Sequence, residues 1–254
     1  MTEKNSPEIL VPARSAILFA GPPRWCRFTD LQLAALNTQG TVDWYVTFWA
    51  ENTQKDPLIN SNWAVETPQD ALFRLGKNLP QGHRIQHCEL LYPHILPPIP
   101  RTNYSATQLL PPDIWREYWC LQRCDQARQR SGIEYDLVIK SRPELAITQG
   151  KINLDLAARF LRKNPETLIT ARNLRLGPKK FSEHLVVARP SAMTEFTNSI
   201  DHWDRAYQGG VAYHPAHLLG ALLATQGYQW PQTDFEITVL DPLRTERPAW
   251  GRWC

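Results

Sequence analysis

The chain has 254 residues, 43% hydrophobic and 21% charged, with a formal net charge of +3. That length suits one large α/β domain spanning 1–254, and the composition is that of an ordinary soluble globular protein. Lysine and arginine are spread along the chain without a basic tail or stripe, which argues against a nucleic-acid-binding module.

No apolar run approaches the ~20 residues of a membrane helix. The opening MTEKNSPEILVPARSAILFA carries acidic residues and two prolines before its first apolar stretch, unlike a signal peptide, so a cytoplasmic protein is expected. Residues 1–14 are expected to be flexible and 241–254 to form a tail. Cys26, Cys88, Cys120, Cys124 and Cys254 lack C-x-x-C spacing and read first as reduced, partly buried thiols. Cys120 with Cys124, or His83 and His87 with Cys88, is an incomplete metal set in the alternative reading.

SAILFAG (15–21) is a short apolar run stopped by Gly-Pro-Pro, a buried strand entering a loop. A short helix through LQLAALN, ending near Gly40, is expected next, then a strand at VDWYVTFW (42–49). Thr67-Pro68 starts a helix, and HRIQHCELL (83–91) is a third strand. Six prolines in 92–112 exclude a helix interior or central strand there, leaving a functional lid, an interaction surface or a plain connector.

Pro112 opens a helix whose apolar face carries Ile114, Trp115, Tyr118, Trp119 and Leu121, ending near Ser131-Gly132. YDLVIK (135–140) is a central strand entering the polar turn SRPE. A helix at LAARFLRK and strands at TLITA and HLVVA follow. One helix is expected from Pro190 through Tyr207, another over HPAHLLGALLATQG, and a last strand at FEITVL (235–240). This alternation predicts a mostly parallel sheet with helices on both faces.

Three segments together resemble a family of bacterial and viral glycosyltransferase-like proteins. The first is SAILFAGPPRWCRF with VDWYVTFW, similar to a strand ending in Gly-x-x-Arg and a strand of the form D-x-F/Y-x-x-x-W; the matching residues are Gly21, Arg24, Asp43, Tyr45 and Trp49. The second is WREYWCLQRCDQAR leading into YDLVIKSRPEL, similar to Y-D-x-V-I-R-x-R-P-D-L. The third is FSEHLVVARPSAM, similar to D-x-F-x-x-G-S-x-x-A-M. The resemblance spans roughly 15–225 and implies a GT-A-like (Rossmann-like) fold and a nucleotide-sugar donor. Lys140, Glu144 and Glu183 depart from the family's Arg, Asp and Asp, and Ala188-Arg189-Pro190 replaces its small residues.

What the resemblance implies is transfer of a sugar from a nucleotide-sugar donor to a glycan or other acceptor, in cell-surface polysaccharide synthesis. Gly21, Arg24, Arg27, Lys140, Arg142 and Glu144 then fall at strand carboxyl ends, where open α/β sheets bind ligands. Cations there would answer the charge that grows on a departing diphosphate. Glu144 is the candidate metal ligand for Mn2+ or Mg2+, with Lys140 and Arg142 supplying the charge in a metal-independent alternative. Glu183 and His184 are the candidate general bases toward an acceptor hydroxyl, against the plainer reading of a surface pair. His214 and His217 read as helix-capping residues, or else as phosphate contacts. Trp25, Trp49, Trp115 and Trp119 suit either the core or stacking on substrate. The competing function is a noncatalytic pseudo-glycosyltransferase that binds a nucleotide or glycan and serves a protein partner, favoured by the substituted motif.

Overall fold

The computed structural model describes residues 11–21, 35–49, 67–92, 112–143, 145–172, 181–212 and 214–239. Its strands are β1 (Ser15–Gly21), β2 (Leu36–Asn37), β3 (Val42–Trp49), β4 (His83–Leu91), β5 (Leu137–Ser141), β6 (Leu145–Gln149), β7 (Ile152–Asn153), β8 (Leu168–Arg172), β9 (Val186–Ala188) and β10 (Gln232–Val239). Eight of these form one sheet in the order β4-β3-β1-β5-β9-β8-β10-β6, and β2 pairs with β7 apart from it. The run β4-β3-β1-β5 is parallel throughout, as is the pair β8-β10. β9 runs antiparallel to both its neighbours, and β6 runs antiparallel to β10.

Helices cover both faces. The period of two along each strand divides the core accordingly. Ile17 and Phe19 of β1, Trp44 and Phe48 of β3 and Ile139 of β5 enter one core. There they meet α1 (Pro68–Asn78), through Ala71 and Leu75. α3 (Leu154–Lys163) meets the same core through Ala157, Ala158 and Leu161. Ala16, Leu18, Tyr45 and Val138 enter the other core, packed on α2 (Pro112–Arg130), α4 (Pro190–Asn198), α5 (Trp203–Gln208) and α6 (Pro215–Thr225). Thr67 caps α1 by accepting from the Asp70 N–H, as the Thr-Pro start predicts.

The expected end near Gly40 of the helix through LQLAALN is corrected. Ala35 is helical, but Leu36–Asn37 is extended and paired with β7, and 31–34 lie outside the described residues. The Asp155 carboxylate on α3 explains it, accepting from the Thr38 hydroxyl at 2.9 Å, the Gln39 N–H at 3.0 Å and the Ala13 N–H at 2.8 Å. Three tertiary bonds to one charge outweigh a few tenths of a kcal/mol of helix propensity per residue. Ala13 and Arg14 consequently belong to the fold rather than to a flexible lead-in.

The single helix expected over 190–207 breaks at a 3₁₀ turn, Ser199–His202. Ser199 donates its hydroxyl to Phe196 O and Thr197 donates to Thr194 O, bonds that compete with the regular ladder. β6 and β7, joined through Gly150 at φ +84°, lie where no strand was expected.

Candidate functional site

Because β1, β3, β4 and β5 are parallel, their carboxyl ends share one edge. Phe19 stands opposite Ser141, so β1 closes on Gly21 beside the turn that follows β5. Gly21 has φ +152°, outside the usual range for a residue with a side chain. β9 runs the other way, with Val186 opposite Lys140, so the residues before it, Glu183 and His184, arrive at the same edge. The topology thus brings Gly21, Lys140, Arg142, Glu183 and His184 to one end of the sheet. Arg24, Arg27 and Glu144 lie outside the described residues.

Period two places Lys140 on the Val138 face, turned toward α2. Its side chain is 0% exposed, and Nζ donates to Glu183 O at 2.8 Å and to His184 O at 3.4 Å. Nζ also lies 3.4 Å from Glu117 Oε1 and 5.5 Å from the centre of the Tyr118 ring. Arg142 Nη2 pairs with Glu117 Oε2 at 3.0 Å, and Nη1 lies 3.4 Å from His184 Nδ1. A guanidinium only donates, so Nδ1 accepts and a neutral His184 carries its proton on Nε2. That nitrogen stands 3.8 Å from Glu183 Oε1. The result is a polar chain running Glu117, Arg142, His184, Glu183.

Burial sorts these groups by what they can reach. Glu117 and Lys140 are inside, whereas Arg142 and His184 keep 19% and 21% of their side chains exposed. Burial pulls the Glu183 carboxyl up, but His184, the backbone amide, Lys140 and His214 outweigh it and hold its pKa below the ordinary value. Burial also pulls the Lys140 pKa down, with Glu117 opposing, and pushes the Tyr118 phenol well up. Glu183 Oε2, Ser182 Oγ and the Tyr118 hydroxyl are buried with no hydrogen-bond partner among the described residues.

Glu117 was not singled out from the sequence. The available signal was a carboxylate beside Tyr118, three residues after Ile114 and four before Leu121, hence on the apolar face of α2. A charge there needs a buried partner.

Among the described residues no group of three or more His, Cys, Asp and Glu side chains is placed to hold a metal ion. Within the charged cluster, Glu117 pairs with both Lys140 and Arg142. His214 accepts the Ala216 N–H through Nδ1 and stacks edge-on with His217 at 5.6 Å, the capping role. Trp49 is 2% exposed and belongs to the core, and Trp119 lies under the Arg123 guanidinium at 4.9 Å.

Asp43 sits at the amino ends of the strands, opposite the cluster. It accepts from Arg84 Nε at 2.5 Å, Arg14 Nη2 at 3.2 Å and the Tyr135 hydroxyl at 2.8 Å, closing a structural network.

Cys120 and Cys124 are buried on α2, and the Cys124 thiol donates to the Thr47 hydroxyl at 3.1 Å. Burial, only partly opposed by that bond, pushes Cys124 up to about 12. Iodoacetamide at pH 8 should leave both thiols unlabelled in the folded protein and label them in urea, read by peptide mass. The raised value also means that folding retains this proton, so Cys124's contribution to stability is full at neutral pH. It is lost as the pH climbs from the thiol's ordinary 9.0 through about 12. Ready labelling without unfolding would contradict the buried placement.

No protein-family model matches this chain, and a search of curated proteins finds no significant match.

Proposed function

We propose that the chain is a nucleotide-sugar-dependent glycosyltransferase with a GT-A-like fold. In this reading it acts in the cytoplasm on a glycan or other acceptor in cell-surface polysaccharide synthesis. The observation that carries this reading is the buried Glu183 carboxylate, with one oxygen unpartnered among the described residues, beside partly exposed Arg142 and His184. It stands where strand carboxyl ends converge, the usual ligand position in open α/β sheets.

Each residue then has a stated task. Arg142 faces the diphosphate and stabilises the negative charge that grows as it leaves, an effect that is strong in a site shielded from water. Glu183 takes the proton of the acceptor hydroxyl, directly or through one water. Lys140 is too buried to touch a diphosphate. It holds the Glu183 and His184 carbonyls in place, and Glu117 orients Arg142. Gly21 lets the backbone turn close to the donor, with Arg24, Arg27 and Glu144 as further donor contacts. Mn2+ or Mg2+, if used, would be held through Glu144.

A donor at 100 times its dissociation constant should stabilise the fold by roughly 2.7 kcal/mol. A thermal-shift screen of nucleoside diphosphates and their sugars, with and without manganese, reads this directly. No shift with any of them would sink the donor-site assignment.

One observation favours a second reading, the noncatalytic binding relative with a protein partner. Arg142 and Lys140 are both engaged by Glu117, so the cluster is largely self-neutralised. Binding of a nucleotide sugar without turnover on any acceptor would bring that reading forward.

A further inference from the structure

At the amino-terminal edge of the sheet, a cleft of about 410 Å³ is lined by Arg14, Thr41, Gly82, His83 and Arg84. That volume falls in the range of small-molecule sites, about 300–1,000 Å³. Two arginines line it and no carboxylate does. Asp43, behind them, is shared by both guanidinium groups, so the trio keeps one net positive charge. Asp136, which accepts the Arg14 backbone N–H, pairs with Arg162, which leaves that balance standing.

The remaining groups are donors as well. Arg14 keeps 40% of its side chain exposed, with Nη2 on Asp43. The Trp44 indole N–H donates to His83 Nδ1 at 3.3 Å, so the neutral imidazole carries its proton on Nε2 and is a donor there. Burial lowers the His83 pKa, which keeps that neutral form at physiological pH. Arg84 is more than half exposed, with Nε on Asp43 Oδ1 at 2.5 Å and Nη2 3.4 Å from Oδ2.

We propose that this cleft binds a small oxyanion of the phosphate or phosphate-monoester class, at the opposite end of the sheet from the carboxyl-edge cluster. Two guanidinium groups and an imidazole N–H lining one cleft, with the acid they share fully buried, match a tetrahedral oxyanion, whose oxygens accept several charge-assisted bonds at once. The site ties together the lead-in to β1 and the first residues of β3 and β4, so its occupant would clamp three strand starts.

Phosphate footprinting on the wild-type chain tests this without any variant. The arginine reagent phenylglyoxal is applied in phosphate and in chloride of matched ionic strength, and labelled residues are located by mass spectrometry. At ten times its dissociation constant, phosphate should slow labelling of Arg14 and Arg84 about tenfold. Malonate, a planar-carboxylate dianion, should protect distinctly less. In calorimetric titrations Arg84→Gln should weaken phosphate binding at least about tenfold, while Arg205→Gln, at an exposed position of α5, leaves it unchanged. Equal labelling in phosphate and chloride overturns the assignment, as does malonate protecting as well as phosphate. Phosphate binding lost in Arg142→Ala and kept in Arg84→Gln would overturn it too, moving the anion to the other edge. Should Arg84→Gln fail to fold, the wild-type footprint decides alone.

Discussion

Arg142→Ala is expected to lower sugar transfer, or donor hydrolysis, on the order of 10²–10³-fold in kcat with the fold intact. Removing one positioned charge stabiliser commonly raises the barrier by ~2.7–4 kcal/mol. The fold survives because Glu117 retains Lys140 at 3.4 Å after Arg142 is gone. Glu183→Gln keeps the size and removes the charge, and should retain donor binding while losing turnover. The pH profile then separates two candidate bases. A Glu183 carboxylate held below its ordinary value places the acid limb of kcat/KM under pH 4.5. A limb in the imidazole range, about pH 6–7, would move the base role to His184. Near-normal turnover in both folded variants would remove this edge as the reaction site.

The largest stability loss is expected from Gly40→Ala. A Cβ there would stand 1.8 Å from Ala13 O, 2.7 Å from Ala13 C and 2.9 Å from Ala13 N. All three are backbone atoms, so no side-chain rotation relieves the clash. Nor can the two segments drift apart easily, because the Asp155 carboxylate holds both Ala13 and Gln39. Strain of this kind sits at the upper end of single-residue effects, on the order of 3–5 kcal/mol. For a chain of this size that corresponds to a fall in Tm on the order of 10 °C. Urea denaturation should show a lower midpoint with unchanged slope. A change within about 0.5 kcal/mol would mean that the two segments are not locked as described.

Much of the sheet was legible because β1, β3 and β4 combine short apolar runs with clear stop signals, and their bounds match the expected 15–21, 42–49 and 83–91. Lys140, expected as a donor contact at a strand end, is fully buried instead, because the side-chain alternation turns it toward α2. The failures share a cause. Leu36–Asn37 and the break after Asn198 are set by tertiary or hydroxyl hydrogen bonds that propensity does not contain. Glu117 went unnoticed because its meaning depends on Arg142, 25 residues later in sequence and on another element. The cleft at Arg14 and Arg84 was invisible for the same reason: its residues come from three strand starts.

The placement of β1 between β3 and β5 sets a timing problem during synthesis. β4, β3 and β1 are complete once Leu91 has been made, but the second edge of β1 waits for β5, which ends at Ser141. At ribosomal speed those ~50 residues take roughly 3–10 s. For that interval an apolar parallel edge, with Ile17 and Phe19 on one side and Leu18 on the other, is open to pairing with another chain. Yield of folded protein should therefore respond to translation rate and chaperone supply more than its final stability would suggest.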